Sequence, residues 1–276
     1  MSVSVLVLTL NEEVNLPGCL QSLAWSDDIV VLDSFSSDRT VEIAKAAGAK
    51  VVQRAFDNWS AHQNWAVCNI QFKNPWVYYS DADERVPPDL AQEIQSVTAD
   101  AARQEVAYGV RFRNMFMGRW IKHSCLYPTW VVRLFRPEKI RWERAVNPVA
   151  VIDGPKGLLR CHFEHYSFTK GMTEWFAKHN RYSQQEAEEI MASMGRKLDL
   201  LGTISSDPVR RRKAWKQLAY CLPGRPLLMF FYLYFVRLGF LDGRPGLKYC
   251  LLRTMYERMI DFKVMELRRR LKGLPM

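Results

Sequence analysis

A chain of 276 residues, nearly half hydrophobic and a quarter charged, can bury one sizeable domain with an appendage, or two small ones. Its six cysteines are scattered without a C-x-x-C pair, which argues against a disulfide framework or a zinc ribbon and for reduced thiols in the cytosol. The net charge of +10 is all C-terminal: from Ser205 onward 16 Lys and Arg stand against 5 Asp and Glu, whereas the first 204 residues hold 23 and 24. An anionic surface is therefore the expected partner of the C-terminal part alone. No basic stretch precedes an apolar one at the N-terminus, so no secretory leader is expected.

Residues 2–10 run into Val and Leu and predict a buried strand that ends in Thr9-Leu10-Asn11-Glu12. Leu16, Cys19, Leu20 and Leu23 then recur at helical spacing. Residues 28–33 (DIVVLD) predict a second strand, and the small polar turn from Ser34 to Thr40 offers several N-caps for a helix through Ala47. A third short strand is expected at 50–53. A helix at 58–69 would carry Trp59, His62, Gln63, Asn64 and Trp65, and residues 76–80 are aromatic, β-branched or small, as suits a fourth strand. Asp81-Ala82-Asp83-Glu84 follows at once, expected just past the strand's C-terminal edge. Strand–helix alternation with short connections implies right-handed crossovers and a largely parallel sheet. Asn11, Asp33 and Asp81 then share one edge, the edge where open α/β sheets bind ligands.

Asp81 and Asp83, two apart around a small residue, can converge on one hard cation, Mg²⁺ or Mn²⁺, whose shell water and phosphate oxygens complete. The plainer alternative is a solvated acidic turn. Asp33 can accept hydrogen bonds from a base or ribose, or can cap a helix from its polar turn. No G-x-G-x-x-G follows the first strand and no Walker loop occurs, which disfavours a dinucleotide oxidoreductase or an NTPase.

Together, Thr9-Leu10-Asn11-Glu12, Asp33 with the Ser34 to Thr40 turn, Gln63-Asn64 and Asp81-Ala82-Asp83-Glu84 resemble the motif series of family 2 inverting glycosyltransferases. Within that family the chain is most similar to lipopolysaccharide-core and related cell-envelope glycosyltransferases, over roughly residues 2–190. The resemblance implies a GT-A fold: a Rossmann-like, mostly parallel sheet with flanking helices, a nucleotide-sugar donor across its edge, and a divalent metal on Asp81-x-Asp83. It implies that Thr9, Asn11, Glu12 and Asp33 hold the nucleoside and that Gln63 and Asn64 line the donor pocket. Asp81 and Asp83 would meet ribose, diphosphate and metal. A uridine diphosphate sugar is the commonest donor among similar proteins.

Further along, a helix is expected at 88–100 and strands at 106–113 and 130–136. Residues 115–122 (MFMGRWIK) read either as an acceptor-facing loop or, slightly favoured, as an ordinary hairpin. Where the family often has Val-His-Glu, whose carboxylate is a natural general base, this chain has Val146-Asn147-Pro148. Inverting transfer needs a carboxylate to take the proton of the acceptor hydroxyl. Glu143, Asp153 and Glu164 are the candidates, with Glu143 first because it lies nearest the replaced motif; an ion pair with Arg141 or Arg144 is its alternative. Arg133 and Arg136 can stabilise a leaving diphosphate, with ordinary surface charge as the default for both. Cys161-His162-Phe163-Glu164-His165 lacks the His-Glu-x-x-His order, and in a strand its two histidines face opposite sides, so no zinc site is expected. His165-Tyr166 is expected to end a strand on the active-site rim. Residues 172–194 predict a long helix with Trp175, Phe176, His179 and Tyr182 on one side.

Residues 1–204 are thus expected to be the catalytic domain and 205–276 a basic amphipathic helical tail. Residues 208–222 are basic and amphipathic, 223–226 break the pattern, and 227–236 (LLMFFYLYFV) are continuously apolar. That run is about half of the roughly 20 residues a bilayer-crossing helix needs. Flanked by Arg225 and Arg237, it suits an interfacial or re-entrant segment on an anionic cytoplasmic leaflet; the alternative is a packed helical subdomain. A second basic amphipathic helix is expected at 247–271. The favoured reading is an enzyme peripheral on the inner face of the cell membrane that moves a sugar to a lipid-linked or lipopolysaccharide-type acceptor. Nucleic acid is disfavoured, because the aromatics at 230–235 form a block and do not interleave with basic residues. Two rivals are a nucleotidyltransferase, weakened by the absence of Gly and basic residues from 9–13, and a non-catalytic nucleotide- or membrane-binding protein that has lost its base.

Overall fold

The computed structural model describes residues 2–144, 148–193, 199–207, 210–211, 214–215, 218 and 224–276. The Val146-Asn147 replacement and most of the expected basic helix at 208–222 lie outside the described residues. The chain divides into two compact units: Met1–Trp120 with Tyr127–Lys170, and Ile121–Leu126 with Gly171–Met276.

The first unit opens with β1 (Ser4–Thr9), α1 (Leu16–Ser22), β2 (Ile29–Asp33), α2 (Thr40–Ala46), β3 (Lys50–Gln53), α3 (Trp59–Asn69) and β4 (Val77–Asp81). These four strands pair in parallel in the order β3-β2-β1-β4. β1 is buried along its whole length, as a strand covered on both faces must be. Its side chains alternate between two cores. Val5 and Val7 face Leu16, Cys19 and Leu20 of α1, while Leu6 and Leu8 share a cluster with Ala66 of α3. α3 starts where the Asn58 side chain accepts the Ala61 N–H at 2.9 Å.

The unit continues through β5 (Glu84–Arg85), α4 (Pro88–Ala99), β6 (Ala107–Phe116), β7 (Arg119–Trp120), β8 (Trp130–Phe135), β9 (Ile140–Glu143), β10 (Val149–Ile152) and β11 (Lys156–His165). β8 inserts antiparallel between β4 and β6, and β11 pairs parallel to β6. The sheet is therefore mixed beyond β4. Two reversals in a row restore the direction, so β6 and β11 end on the same edge as β1, β2 and β4. Residues 115–122 form the favoured hairpin: Met115 pairs with Trp120 across a turn in which Met117 and Gly118 both have positive φ (51° and 73°). β9 and β10 make a separate two-stranded sheet.

In the second unit α5 (Gly171–Ser193) packs along a 29-residue helix, Gly243–Leu271, with α6 (Arg225–Phe231) against it; the long helix is α7. His179 of α5 meets Tyr256 of α7 edge-on at 5.1 Å, and Lys263 donates to the Asn180 side chain at 2.7 Å. The segment Ile121–Leu126 belongs here because the buried Asp242 carboxylate accepts the N–H groups of Lys122, His123 and Ser124 at 2.8–3.1 Å. The units thus separate at Lys170, ahead of the boundary expected at 204, because α5 finds its apolar partner on α7.

Candidate active site

Parallel register levels the strand ends. Thr9 lies opposite Asp33, Asp33 opposite Gln53, and Leu8 opposite Asp81. Asp33 is fully buried, and four donors converge on its carboxylate: the Thr9 hydroxyl (3.0 Å), the Ser36 N–H (2.9 Å), the Ser36 hydroxyl and the Gln53 amide (3.1 Å). Burial pushes this carboxyl up, but the bonds from Ser36, Gln53 and Thr9 outweigh it and hold the pKa below the usual range. Asn11, at φ 54°, accepts the Ser37 N–H on its side-chain oxygen at 2.8 Å. Glu12 shares its carboxylate between Asn15 (2.8 Å) and Lys170 (2.5 Å), and burial raises its pKa against those two partners. The β1 and β2 turns therefore cross-brace each other, and Thr9, Asn11 and Asp33 lie in one hydrogen-bonded assembly.

Asp81 closes β4 and does not lie beyond it. Its Oδ1 accepts the Tyr79 hydroxyl at 2.6 Å and its Oδ2 takes an Arg133 N–H at 2.7 Å. The same Arg133 nitrogen donates to Oε1 of Glu84, which is 2% exposed. The guanidinium lies over the Tyr79 ring at 4.4 Å. The surface-charge default for Arg133 is thus overturned: it is a buried cation between two carboxylates. Burial pushes the Glu84 carboxyl up to about 8, against the pull of Arg133. Arg133 thus bridges the buried Glu84 carboxyl and the partly exposed Asp81 carboxylate.

Asp83 faces another cation. His165, at the end of β11, places Nε2 3.3 Å from Asp83 Oδ2 while Nδ1 meets the Asn114 side-chain oxygen at 3.1 Å. Burial pulls the imidazole down, but the bond to Asp83 and the nearby carboxylates hold it above the ordinary histidine value. The Tyr166 N–H donates to the Asp83 carbonyl at 2.8 Å and fixes the end of β11 against the turn.

The remaining expected residues make local contacts of their own. Gln63 is buried with its Oε1 unpaired. Asn64 pairs twice with the Trp142 backbone, its Nδ2 donating at 2.8 Å and its Oδ1 accepting at 2.7 Å, and so staples α3 to β9. Glu143, at the end of β9, is exposed and holds Arg141 at 3.2 Å. Asp153 is exposed and paired with Lys139 at 3.0 Å, whereas Glu164 accepts the Tyr166 hydroxyl at 2.8 Å. Arg136 lies over the Trp76 ring at 4.8 Å.

The sequence reading placed Glu84 on this edge without a role, missed Tyr79, Asn114 and Lys170 as members of it, and misjudged Arg133. The β6–β8 register passes from Tyr108–Leu134 to Gly109–Val132, so Arg133 is the extra residue of a bulge. Bulges re-aim a side chain, and strand alternation gives no warning of one. For Glu84 the signal was available: it follows Asp-x-Asp directly and is the carboxylate that the turn folds inward.

Comparisons with known proteins place the chain by family and fold. Residues 4–162 match the model of Glycosyl transferase family 2. An uncharacterized glycosyltransferase of Rickettsia typhi is 26% identical over 201 residues, covering 68% of each chain. The lipopolysaccharide core biosynthesis glycosyltransferase LpsC of Rhizobium meliloti is 26% identical over 199 residues, 70% of this chain and 73% of that one. Among solved structures, Staphylococcus aureus TarS 1–349 superposes with a TM-score of 0.50 at 15% identity, covering 98% of this chain and 92% of that one, which supports the GT-A-like fold. The chain belongs to glycosyl transferase family 2 and is a glycosyltransferase that draws on a nucleotide-sugar donor.

Proposed function

We propose that this chain moves a sugar, with inversion, from a uridine diphosphate sugar to a lipid-linked or lipopolysaccharide-type acceptor at the cytoplasmic face of an anionic membrane. The observation that carries the donor site is the Asp83–His165 pair, 3.3 Å apart on the edge where β1, β2, β4 and β11 end. Among the described residues no group of three or more His, Cys, Asp and Glu is placed to hold a metal. A carboxylate and an imidazole nevertheless fit a divalent ion that takes its other ligands from phosphate and water, Mn²⁺ more readily than Mg²⁺ because of the nitrogen. Asp83, with His165 and Asp81 beside it, would hold that ion, which would offset charge on the departing diphosphate. The Thr9–Asn11–Asp33 assembly would receive the nucleoside, with Glu12 and Gln63 beside it. The acceptor class rests on the name of the LpsC relative.

Glu143 is the proposed general base. Its exposed ion pair to Arg141 contributes on the order of 0–1 kcal/mol, so it is easily released to reach an acceptor hydroxyl. Two measurements test the reading. Calorimetry should find uridine diphosphate binding that depends on Mn²⁺ and is lost in Asp83→Ala; metal-independent binding, or none, sinks the donor site. Glu143→Gln should lower kcat by about 10²–10⁴ with donor binding intact, and an unchanged rate places the base elsewhere.

A further inference from the structure

The C-terminal unit exposes what a lone soluble protein buries. Between residues 227 and 241 nine large apolar side chains are exposed, among them Leu227 (65%), Phe231 (60%) and Val236 (65%). Contiguous apolar surface of this kind marks a protein or membrane contact. Its backbone is not a frayed end. α6 runs into a π-turn (Tyr232–Val236), the chain reverses at Leu238 (φ 61°), and a Cβ on Gly239 would come within 2.6 Å of the Leu233 carbonyl oxygen. Arg225, expected as an interfacial flank, is instead buried, holding Glu257 at 3.1 Å and Asp261 at 3.2 Å, and so locks α6 to α7. The apolar side chains are thus held outward by a fixed elbow.

The charges point to the occupant. Residues 224–241 contain no Asp or Glu, Arg237 lies within the stretch, and exposed Arg244 and Lys248 follow on the first turns of α7. A second copy seated symmetrically would set Arg244 and Lys248 against themselves, whereas anionic headgroups would neutralise those two. No single helix among the described residues is long and apolar enough to cross a membrane; the two legs, bent by 72°, are long and apolar enough only as a pair. We propose that residues 227–241 form a monotopic elbow that sinks into one leaflet of an anionic bilayer, with Arg237, Arg244 and Lys248 at the headgroups. This deepens the membrane placement proposed above by naming the residues that make the contact.

Flotation of the full chain with phosphatidylcholine vesicles, with and without phosphatidylglycerol, tests it. The wild type should float with the anionic vesicles. Phe231→Ser with Phe235→Ser should lower that partition more than about tenfold, since both rings leave water only on insertion. Arg244→Glu with Lys248→Glu should lower it about tenfold on anionic vesicles and leave neutral ones unaffected. No flotation, equal flotation on neutral vesicles, or variants that float like the wild type would each overturn the proposal. So would self-association in ultracentrifugation that the Phe variants abolish, because the elbow would then be a contact between copies. Uridine diphosphate calorimetry on the same variants should match the wild type, which separates failure of the elbow from failure of the donor site.

Discussion

Two arginines show how differently the two units handle charge. Arg133 sits inside the first unit with Asp81 and Glu84 around it, and its bonds orient a polar cluster at the sheet edge. Arg225 is as deeply buried in the second unit, yet its pairing with Glu257 and Asp261 serves an elbow whose outer surface is apolar and bare. One buried cation braces a sheet edge rich in charged groups; the other locks the base of an exposed apolar surface. A buried ion pair therefore says little about what a surface binds, and the groups it leaves exposed decide that.

Removing each cation sharpens the contrast. Arg133→Ala should cost about 3–5 kcal/mol in chemical denaturation, because it breaks the pair with Asp81 and leaves the buried Glu84 carboxyl without its partner, and donor binding should fall with it. Arg225→Ala should cost less, about 1.5–3 kcal/mol, and leave donor binding unchanged. Asp261 is partly solvated there, and Glu257 keeps Arg253 at 3.0 Å. Equal losses of donor binding in the two variants would break the comparison.

The smallest effect is a matter of pH. The Glu84 carboxyl is raised in the folded chain to about 8, so its contribution to stability is complete below the unfolded-state value and is lost as pH rises through about 8. Glu84→Gln mimics the protonated form and removes that slope. Denaturation midpoints of the variant and the wild type should coincide near pH 4 and diverge above it, with the variant the more stable as pH approaches 8. Parallel curves would mean that Glu84 is ionised beside Arg133 throughout.

Much of this was written in the sequence. The Val and Leu runs set the strands and the i, i+3, i+4 apolar positions set α1, because burial acts on patterns a few residues long. Short strand–helix connections then set the parallel pairing of β1 to β4, and parallel pairing alone brought Thr9, Asp33 and Asp81 level. The apolar run at 227–236 and the basic C-terminus were equally plain. Only the tertiary structure decided the partners. A bulge turned Arg133 inward, and β11, more than eighty residues after the acidic turn, brought His165 to Asp83. Asn64 was claimed by a backbone 78 residues away, and Arg225 was drawn from the expected interface into a salt bridge. Local pattern encodes which face a residue takes; it does not encode which distant group waits there, and at buried charges that group determines the chemistry.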